Sequence, residues 1–551
     1  MRRVLCLLAQ NGQRAFARCL SHKTLCFMGK KYYLTISAFR YNISILYHEG
    51  ESALLFNSGK YVIFLPIVVL LYYLIPAKAK KYWLLAASYY FYMSWNAKYA
   101  LLILASTLIT WLSGLGLERA ENAPGEKSVR ETRKKWIVAL SFISNLGILI
   151  FFKYSNFALA TLQSALAHLH ITLNVPTFDI ILPVGISFYT FQALSYTMDV
   201  YRGQIGAERD LFTYALFVSF FPQLVAGPIE RSGNLLGQLK VAHRFDFDNL
   251  REGLLLILWG FFLKLVIADR LAIYINTVYG ARYLYPGCYL ALAAVLFAFQ
   301  IYCDFYGYST IAMGSAKLLG IELMENFRSP FLSSTVAEFW RNWHVSLTSW
   351  FKDYLYIPLG GSRKGKLRKQ INRMIVFLVS GLWHGANMTF VVWGGLNGLF
   401  QVIGELLMPL RLKLSELLHI DRQSLGVKLV QIPVTFLLFA FSLIFFRSDT
   451  VGEALAVISS IIHVRNPWIL FDGSLMLHDY DGAMVLPMTF FMGALLFSDI
   501  CKQRGIAVRK IILRQDAWFR WLVFALSTAI VLLFGVWGPG FSEANFIYFQ
   551  F

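Results

Sequence analysis

Long apolar runs separated by short basic loops dominate the chain. Tyr61–Ile75, Tyr82–Trp95 and Tyr99–Leu117 come first, and further runs occupy about 136–153, 155–169, 180–198, 211–229, 253–275, 288–316, 374–402, 429–446, 484–499 and 520–537. A helix needs roughly 20 apolar residues to cross a bilayer. Unbroken runs of this kind are not the alternating strands of a membrane barrel. The pattern therefore predicts an all-α polytopic membrane protein with roughly 10–12 transmembrane and re-entrant helices, the shorter runs being the re-entrant ones.

One stretch has a different rhythm. In FLSSTVAEFWRNWHVSLTSWFKDYLYI (331–357), Leu332, Val336, Phe339, Trp343, Leu347, Trp350 and Tyr354 recur at gaps of three and four. That spacing predicts a single amphipathic helix at the membrane surface or entering a cavity. Thr335 and Glu338 fit a capping box at its start. Trp340, Trp343 and Trp350 are expected as interfacial anchors.

Composition narrows the class. The 551 residues are 57% hydrophobic and 15% charged, with mean hydropathy +0.55. A soluble domain carries about 25% charge, so a soluble enzyme and a disordered chain are both excluded. The net charge of +20 would suggest nucleic acid in a soluble protein. Here the basic residues fall in short loops, which is the positive-inside bias of a membrane protein. The partner is the lipid bilayer, and nucleic acid is not expected. The loops 118–135, 363–373 and 502–520 are assigned to the cytoplasm on this rule. Their clusters read either as solvated charge or as a landing site for an acidic donor or lipid headgroups.

Residues 1–53 stand apart, with eight Lys/Arg, two Glu and only short apolar patches. The loop assignment would put this basic segment outside, against the rule. It is read as an N-terminal extension separate from a transmembrane domain at 54–551. The six cysteines form no CxxC pair, so neither a disulfide framework nor a zinc site is expected.

Ionisable groups inside apolar runs are functional candidates because burying them in lipid is unfavourable. They are Lys153, Asp199, Lys264, Asp304, His384, Glu405 and Arg447. His384 is the least able to reach the interface. It lies about 15 Å of helix rise beyond Met374, with Gly381, Gly385 and Ala386 nearby. Small neighbours admit a second helix or a ligand, and a neutral imidazole there can act as a general base. The plain alternative is a packing histidine. His344 reads as an interfacial histidine or a catalytic one. Asp304 needs a partner, with Arg341, Lys317 or a histidine in view, and reads equally as a structural ion pair or as a group orienting the site. The GxSxG, HExxH, P-loop and GxGxxG motifs are absent, which removes serine-hydrolase, zincin, nucleotidase and dinucleotide readings.

Three stretches together carry a resemblance: FWRNWHVSL (339–347), WFKDYLYIPLGG (350–361) and SGLWHGA (380–386). LPVGISFYTFQALSYTMDVYRG (182–203), FFPQLVAGPIER (220–231), YCDFYGYSTIAMG (302–314) and NFIYFQF (545–551) extend it over roughly 54–551. The chain closely resembles the membrane-bound O-acyltransferase family, in its branch of bacterial alginate O-acetyltransferase membrane subunits. Asn342 and Lys352 stand where relatives often carry arginine. Relatives begin near a Leu-Phe-Asn-Ser motif, matched here by Leu55–Ser58, and a start read through at Leu54 would account for the 1–53 segment.

The resemblance implies a ring of helices around a central funnel. It makes His384 the catalytic histidine and His344 the second signature residue, with Asp304, Asp353, Arg341 and Trp383 as supporting candidates. It implies no bound cofactor and no metal. The donor would be a cytoplasmic acyl thioester, either acetyl-CoA or a carrier protein. The acyl group, acetyl in the first instance, would pass to a surface polysaccharide or to an extracytoplasmic SGNH-type acetyltransferase, at a bacterial inner membrane. The rivals are D-alanyl transfer to teichoic acid and a polysaccharide exporter or flippase without chemistry.

Overall fold

The computed structural model describes residues 54–171, 178, 182–225, 227–475 and 482–536. The 1–53 extension and the terminal 545–551 stretch lie outside them. Every regular element among the described residues is helical. The helices that matter here are α1 (Gly59–Leu74), α2 (Ala77–Met93), α3 (Ala100–Glu121), α4 (Lys127–His168), α5 (Ile186–Tyr201), α6 (Phe247–Phe261), α7 (Cys288–Leu318), α8 (Val336–Asn342), α9 (Val345–Phe351), α10 (Gly365–His384), α11 (Met388–Leu406), α12 (Leu425–Arg447), α13 (Gly482–Gln503) and α14 (Ala517–Phe534).

Local chemistry sets several boundaries. The Ser58 hydroxyl accepts from the Tyr61 amide at the start of α1, and Pro76 separates α1 from α2. The expected runs 136–153 and 155–169 are one 42-residue helix, α4. Lys153, Tyr154, Ser155 and Asn156 interrupt the apolar pattern, but none of them breaks a helix. At 1.5 Å per residue α4 is about 63 Å long, twice the hydrocarbon thickness.

Six described helices are long and apolar enough to cross a membrane: Ala97–Glu121, α4, α7, α12, Met484–Gln503 and α14. A seventh arises if α11 and Met408–Leu417, bent by 45°, are counted as one span. Several other predicted runs are shorter pieces packed against these. The 16-residue α5 is buried along nearly its whole length against α3 and α4. The 211–229 run splits into Leu211–Ser219 and Phe221–Leu224.

Two helix pairs are closed by glycine. α6 and α7 run antiparallel, with Gly253 facing Gly314 and Gly260 facing Gly307. A Cβ at Gly260 would lie 2.7 Å from the Gly307 carbonyl oxygen. Both pairs recur at a spacing of seven, which returns to the same helix face. In the second pair, α10 and α11, a Cβ at Gly381 would meet the Phe390 carbonyl oxygen at 2.2 Å, and one at Gly394 would meet that of Phe377 at 2.3 Å. The hairpin returns to the charged face where it began, since Glu405 on α11 pairs with Lys369 at 2.6 Å and Arg373 at 2.7 Å on α10.

The 331–357 segment corrects its sequence reading. It is not one helix: α8 ends at Asn342, α9 begins at Val345, and His344 between them has φ 44° and ψ 55°. A non-glycine residue in this left-handed region breaks the helix. Thr335 caps α8 as expected, its hydroxyl accepting from the Glu338 amide at 3.1 Å. The Glu338 carboxylate accepts from the Ser334 amide at 2.9 Å, one residue earlier than in a standard capping box. Trp340, Trp343 and Trp350 are buried in the protein rather than anchored at an interface.

Candidate active site

His384 is the last residue of α10, at the apex of the α10–α11 hairpin. Eleven residues separate it from Arg373, so it stands about 16 Å above the charged face, near mid-depth of a 30 Å hydrocarbon layer. A helix ending there leaves carbonyl groups that lipid cannot satisfy. Two adjacent side chains of α4 take them. Lys153 Nζ donates to the Trp383 carbonyl at 2.6 Å and to the His384 carbonyl at 3.2 Å. The Tyr154 hydroxyl donates to the Leu382 carbonyl at 2.7 Å.

The His384 imidazole is held edge-on among aromatic rings, with centroids 5.0 Å from Trp383, 5.0 Å from Trp393 and 5.7 Å from Phe446. It is buried, but it lines a cavity of about 80 Å³ together with Lys153, Trp383 and the residues Leu182 to Phe188 that lead into α5. Gly185 makes that wall possible. Its φ is 73°, and a Cβ there would lie 2.7 Å from the Leu224 carbonyl oxygen.

His344 also packs against the Trp383 indole, at 5.9 Å between centroids, with Phe305 edge-on at 4.6 Å. Its Nδ1 lies 3.3 Å from Asn326 Oδ1, which also accepts from the Ser346 hydroxyl at 2.6 Å. An acceptor at Nδ1 favours the tautomer with its proton there, leaving the Nε2 lone pair available. Nε2 is buried without a hydrogen-bond partner among the described residues. Trp383 Nε1 is in the same condition. The site thus has two imidazoles packed against one indole.

The other supporting candidates lie elsewhere. Asp304 is buried and ion-paired with Lys264 at 2.5 Å, while Lys264 also meets Asp269 at 2.9 Å. Lys264 is not among the partners considered from sequence; it reaches Asp304 because this side chain of α7 faces the π-helical turn Phe262–Ala268 that follows α6. Asp353 pairs with Arg231 at 3.0 Å, and its carbonyl accepts from Arg202 at 2.9 Å. The neighbouring Tyr354 donates to Asp199 at 2.5 Å. Asp199 lies twelve residues along α5 from Ser187, so this cluster is about 18 Å from the His384 cavity. Arg341 is exposed on α8. Sequence reasoning singled out Lys153 as a lysine in an apolar run but gave it no place in the site. Tyr154 and Asn326 carried no signal at all.

A second cavity, of about 570 Å³, reaches Asn326. Leu255, Trp259, Phe262 and Phe491 line it, together with Lys502, Arg509 and Lys510 and with Glu252 and Glu325, which pair with Arg509 at 3.4 Å and Lys502 at 3.3 Å. Among the described residues no group of three or more His, Cys, Asp or Glu is placed to hold a metal ion.

Residues 204–447, which include both histidines, match the model of the MBOAT, membrane-bound O-acyltransferase family. A protein of Pseudomonas syringae pv. tomato named "Probable alginate O-acetylase" is 35% identical over 73% of this chain and 74% of its own length. An Azotobacter vinelandii protein of the same name is 35% identical over 76% and 80%. The peptidoglycan O-acetyltransferase of Helicobacter pylori is 32% identical over 74% and 80%. Identity at this level across most of both chains means that the protein belongs to the membrane-bound O-acyltransferase family and is an O-acyltransferase.

Proposed function

We propose that the protein moves an acetyl group from a thioester supplied on the cytoplasmic side to a hydroxyl of a cell-surface polysaccharide, directly or through an extracytoplasmic acetyltransferase, at a bacterial inner membrane. The observation that carries this reading is the position of His384, a buried imidazole at the apex of a hairpin on the wall of a small cavity. His384 takes the proton of the accepting hydroxyl as its oxygen attacks the thioester carbonyl. The tetrahedral intermediate collapses, the C–S bond breaks, and the proton passes from His384 to the departing thiolate. His344, with Nε2 unpartnered, positions a reactant or shares that proton. The largely apolar cavity, whose lining carries three basic and two acidic residues, supports donor entry from the side of the 502–520 loop, where an acidic thioester carrier or nucleotide thioester finds a small excess of opposite charge. Relatives named for alginate and for peptidoglycan support a surface glycan as acceptor. A Bacillus subtilis teichoic acid D-alanyltransferase matches only 40% of this chain at 27% identity, so acetyl is favoured over D-alanyl.

General-base assistance is worth roughly 10²–10⁴-fold in rate. His384→Gln keeps size and hydrogen bonding, but an amide cannot take the proton at neutral pH. Surface-glycan O-acetyl content in a strain carrying only this variant should fall by at least 10²-fold, with normal membrane abundance. Near-normal O-acetylation by a well-inserted His384→Gln protein would return the residue to a packing role. D-alanine esters lost in place of acetyl esters would establish the alternative donor chemistry.

A further inference from the structure

We propose that Lys153 is a positioning residue for His384, a role that rests on the general-base reading above. Three observations converge on it. The ammonium group binds the backbone of the reactive turn itself, at Trp383 (2.6 Å) and His384 (3.2 Å), rather than a carboxylate. It lines the same cavity as the His384 ring. It also stands 5.9 Å from the Trp383 ring, the indole that both His384 and His344 contact.

A lysine in a membrane helix would ordinarily extend to the interface or pair with an acid. Lys153 instead turns to a helix C-terminus, where the aligned peptide dipoles present partial negative charge and the last carbonyls have no intrahelical donors. One cation therefore fixes two successive peptide planes, and those planes set the direction in which the His384 side chain leaves the backbone. Gly385 follows in extended conformation, with φ −158° and ψ 150°. Its amide lies 3.4 Å from the Gly381 carbonyl, so this last intrahelical bond restrains the turn weakly. Tyr154 holds only the preceding carbonyl, of Leu382, and so anchors the helix end without touching the peptide plane of His384.

The contrast between these two adjacent residues is the test. Lys153→Met, Lys153→Arg, Tyr154→Phe and His384→Gln are each expressed in a strain lacking the chromosomal copy. O-acetyl ester per unit of membrane protein and the thermal midpoint of the purified protein are measured for each. A misplacement of about 1 Å at a reacting group can cost 10²-fold in rate. Lys153→Met is therefore expected to lower O-acetylation at least tenfold per folded molecule, with a lowered midpoint because two buried carbonyls lose a donor. Lys153→Arg, which still donates to both carbonyls, should recover it to within about threefold, and Tyr154→Phe should lose much less than Lys153→Met. Near-normal O-acetylation by Lys153→Met overturns the proposal. So does an equal loss in Tyr154→Phe, because a loss common to both belongs to the helix end in general. If Lys153→Met does not accumulate, Lys153→Gln is compared with Lys153→Arg at equal abundance. Arginine must then restore activity and glutamine must not. An active His384→Gln would defeat the general-base reading instead, which keeps the two failures distinct.

Discussion

Gly394 and Gly395 are neighbours on α11, yet one extra methyl group should have opposite consequences at the two positions. A Cβ at Gly394 would stand 2.3 Å from the Phe377 carbonyl oxygen, and one at Gly395 would stand 3.6 Å from the end of the Leu378 side chain. The second distance is ordinary contact. The first falls about 1 Å short of it, and the obstacle is backbone that no rotamer change can move. Replacing glycine by alanine in a helix interior gains up to about 1 kcal/mol at either site. That gain cancels when the two variants are compared, which leaves overpacking of about 1–3 kcal/mol at Gly394 alone. Relief requires α10 and α11 to part by up to about 1 Å, and the hairpin apex carries His384. The same displacement is large enough to cost about 10²-fold in rate. Gly394→Ala should therefore melt several degrees below Gly395→Ala and lose most O-acetyl transfer, whereas Gly395→Ala should match or exceed wild type in stability. Thermal unfolding in detergent and ester analysis of the surface glycan measure the two effects. Equal melting and equal activity of the two variants would refute the claim that backbone contact in this hairpin sets the site.

Three other outcomes follow from the geometry. Lys264→Met removes an ammonium that pairs with both buried Asp304 and buried Asp269, so loss of about 3–5 kcal/mol is expected, read as failure to accumulate folded protein. Burial pushes the Glu230 carboxyl up to about 7, against the lowering effect of hydrogen bonds from Asn234 and the Met324 amide. A carboxyl raised in the folded state favours folding below its unfolded value of about 4.5, and that contribution is lost as pH rises through 7. The melting temperature of Glu230→Gln should accordingly decline less between pH 5 and 8 than that of wild type. Single cysteines in the loops 118–135, 363–373 and 502–520 should resist a membrane-impermeant thiol reagent in intact cells, and labelling of any one of them from outside would contradict its cytoplasmic placement.

Class and membrane location are legible in the sequence because they depend on local quantities, and the two histidines stand out there as candidates for the same reason. Runs of apolar residues report the bilayer, basic loops predict which face is cytoplasmic, and a histidine inside an apolar run stands out because burying it is unfavourable. Helix boundaries are less local. The polar stretch at 153–156 looks like a loop, but it is helix, because tertiary partners receive Lys153 and Tyr154. The 331–357 periodicity looks like one helix, but it breaks at His344, whose backbone is tied to a distant segment: the Val345 amide donates to the Asn326 carbonyl at 2.8 Å. Its tryptophans match an interfacial belt in type and spacing, yet they fill a core, since periodicity shows which residues share a face and not what that face meets. Asp304 visibly needed a cation, but Lys264 became its partner only when α6 and α7 were brought together through glycine pairs more than forty residues apart. The order Lys153, hairpin apex, His384, Trp383, His344 exists only in three dimensions, because its members come from α4, the end of α10 and the break between α8 and α9. Each contributes side chains whose purpose depends on a carbonyl, a ring or a cavity supplied by another helix.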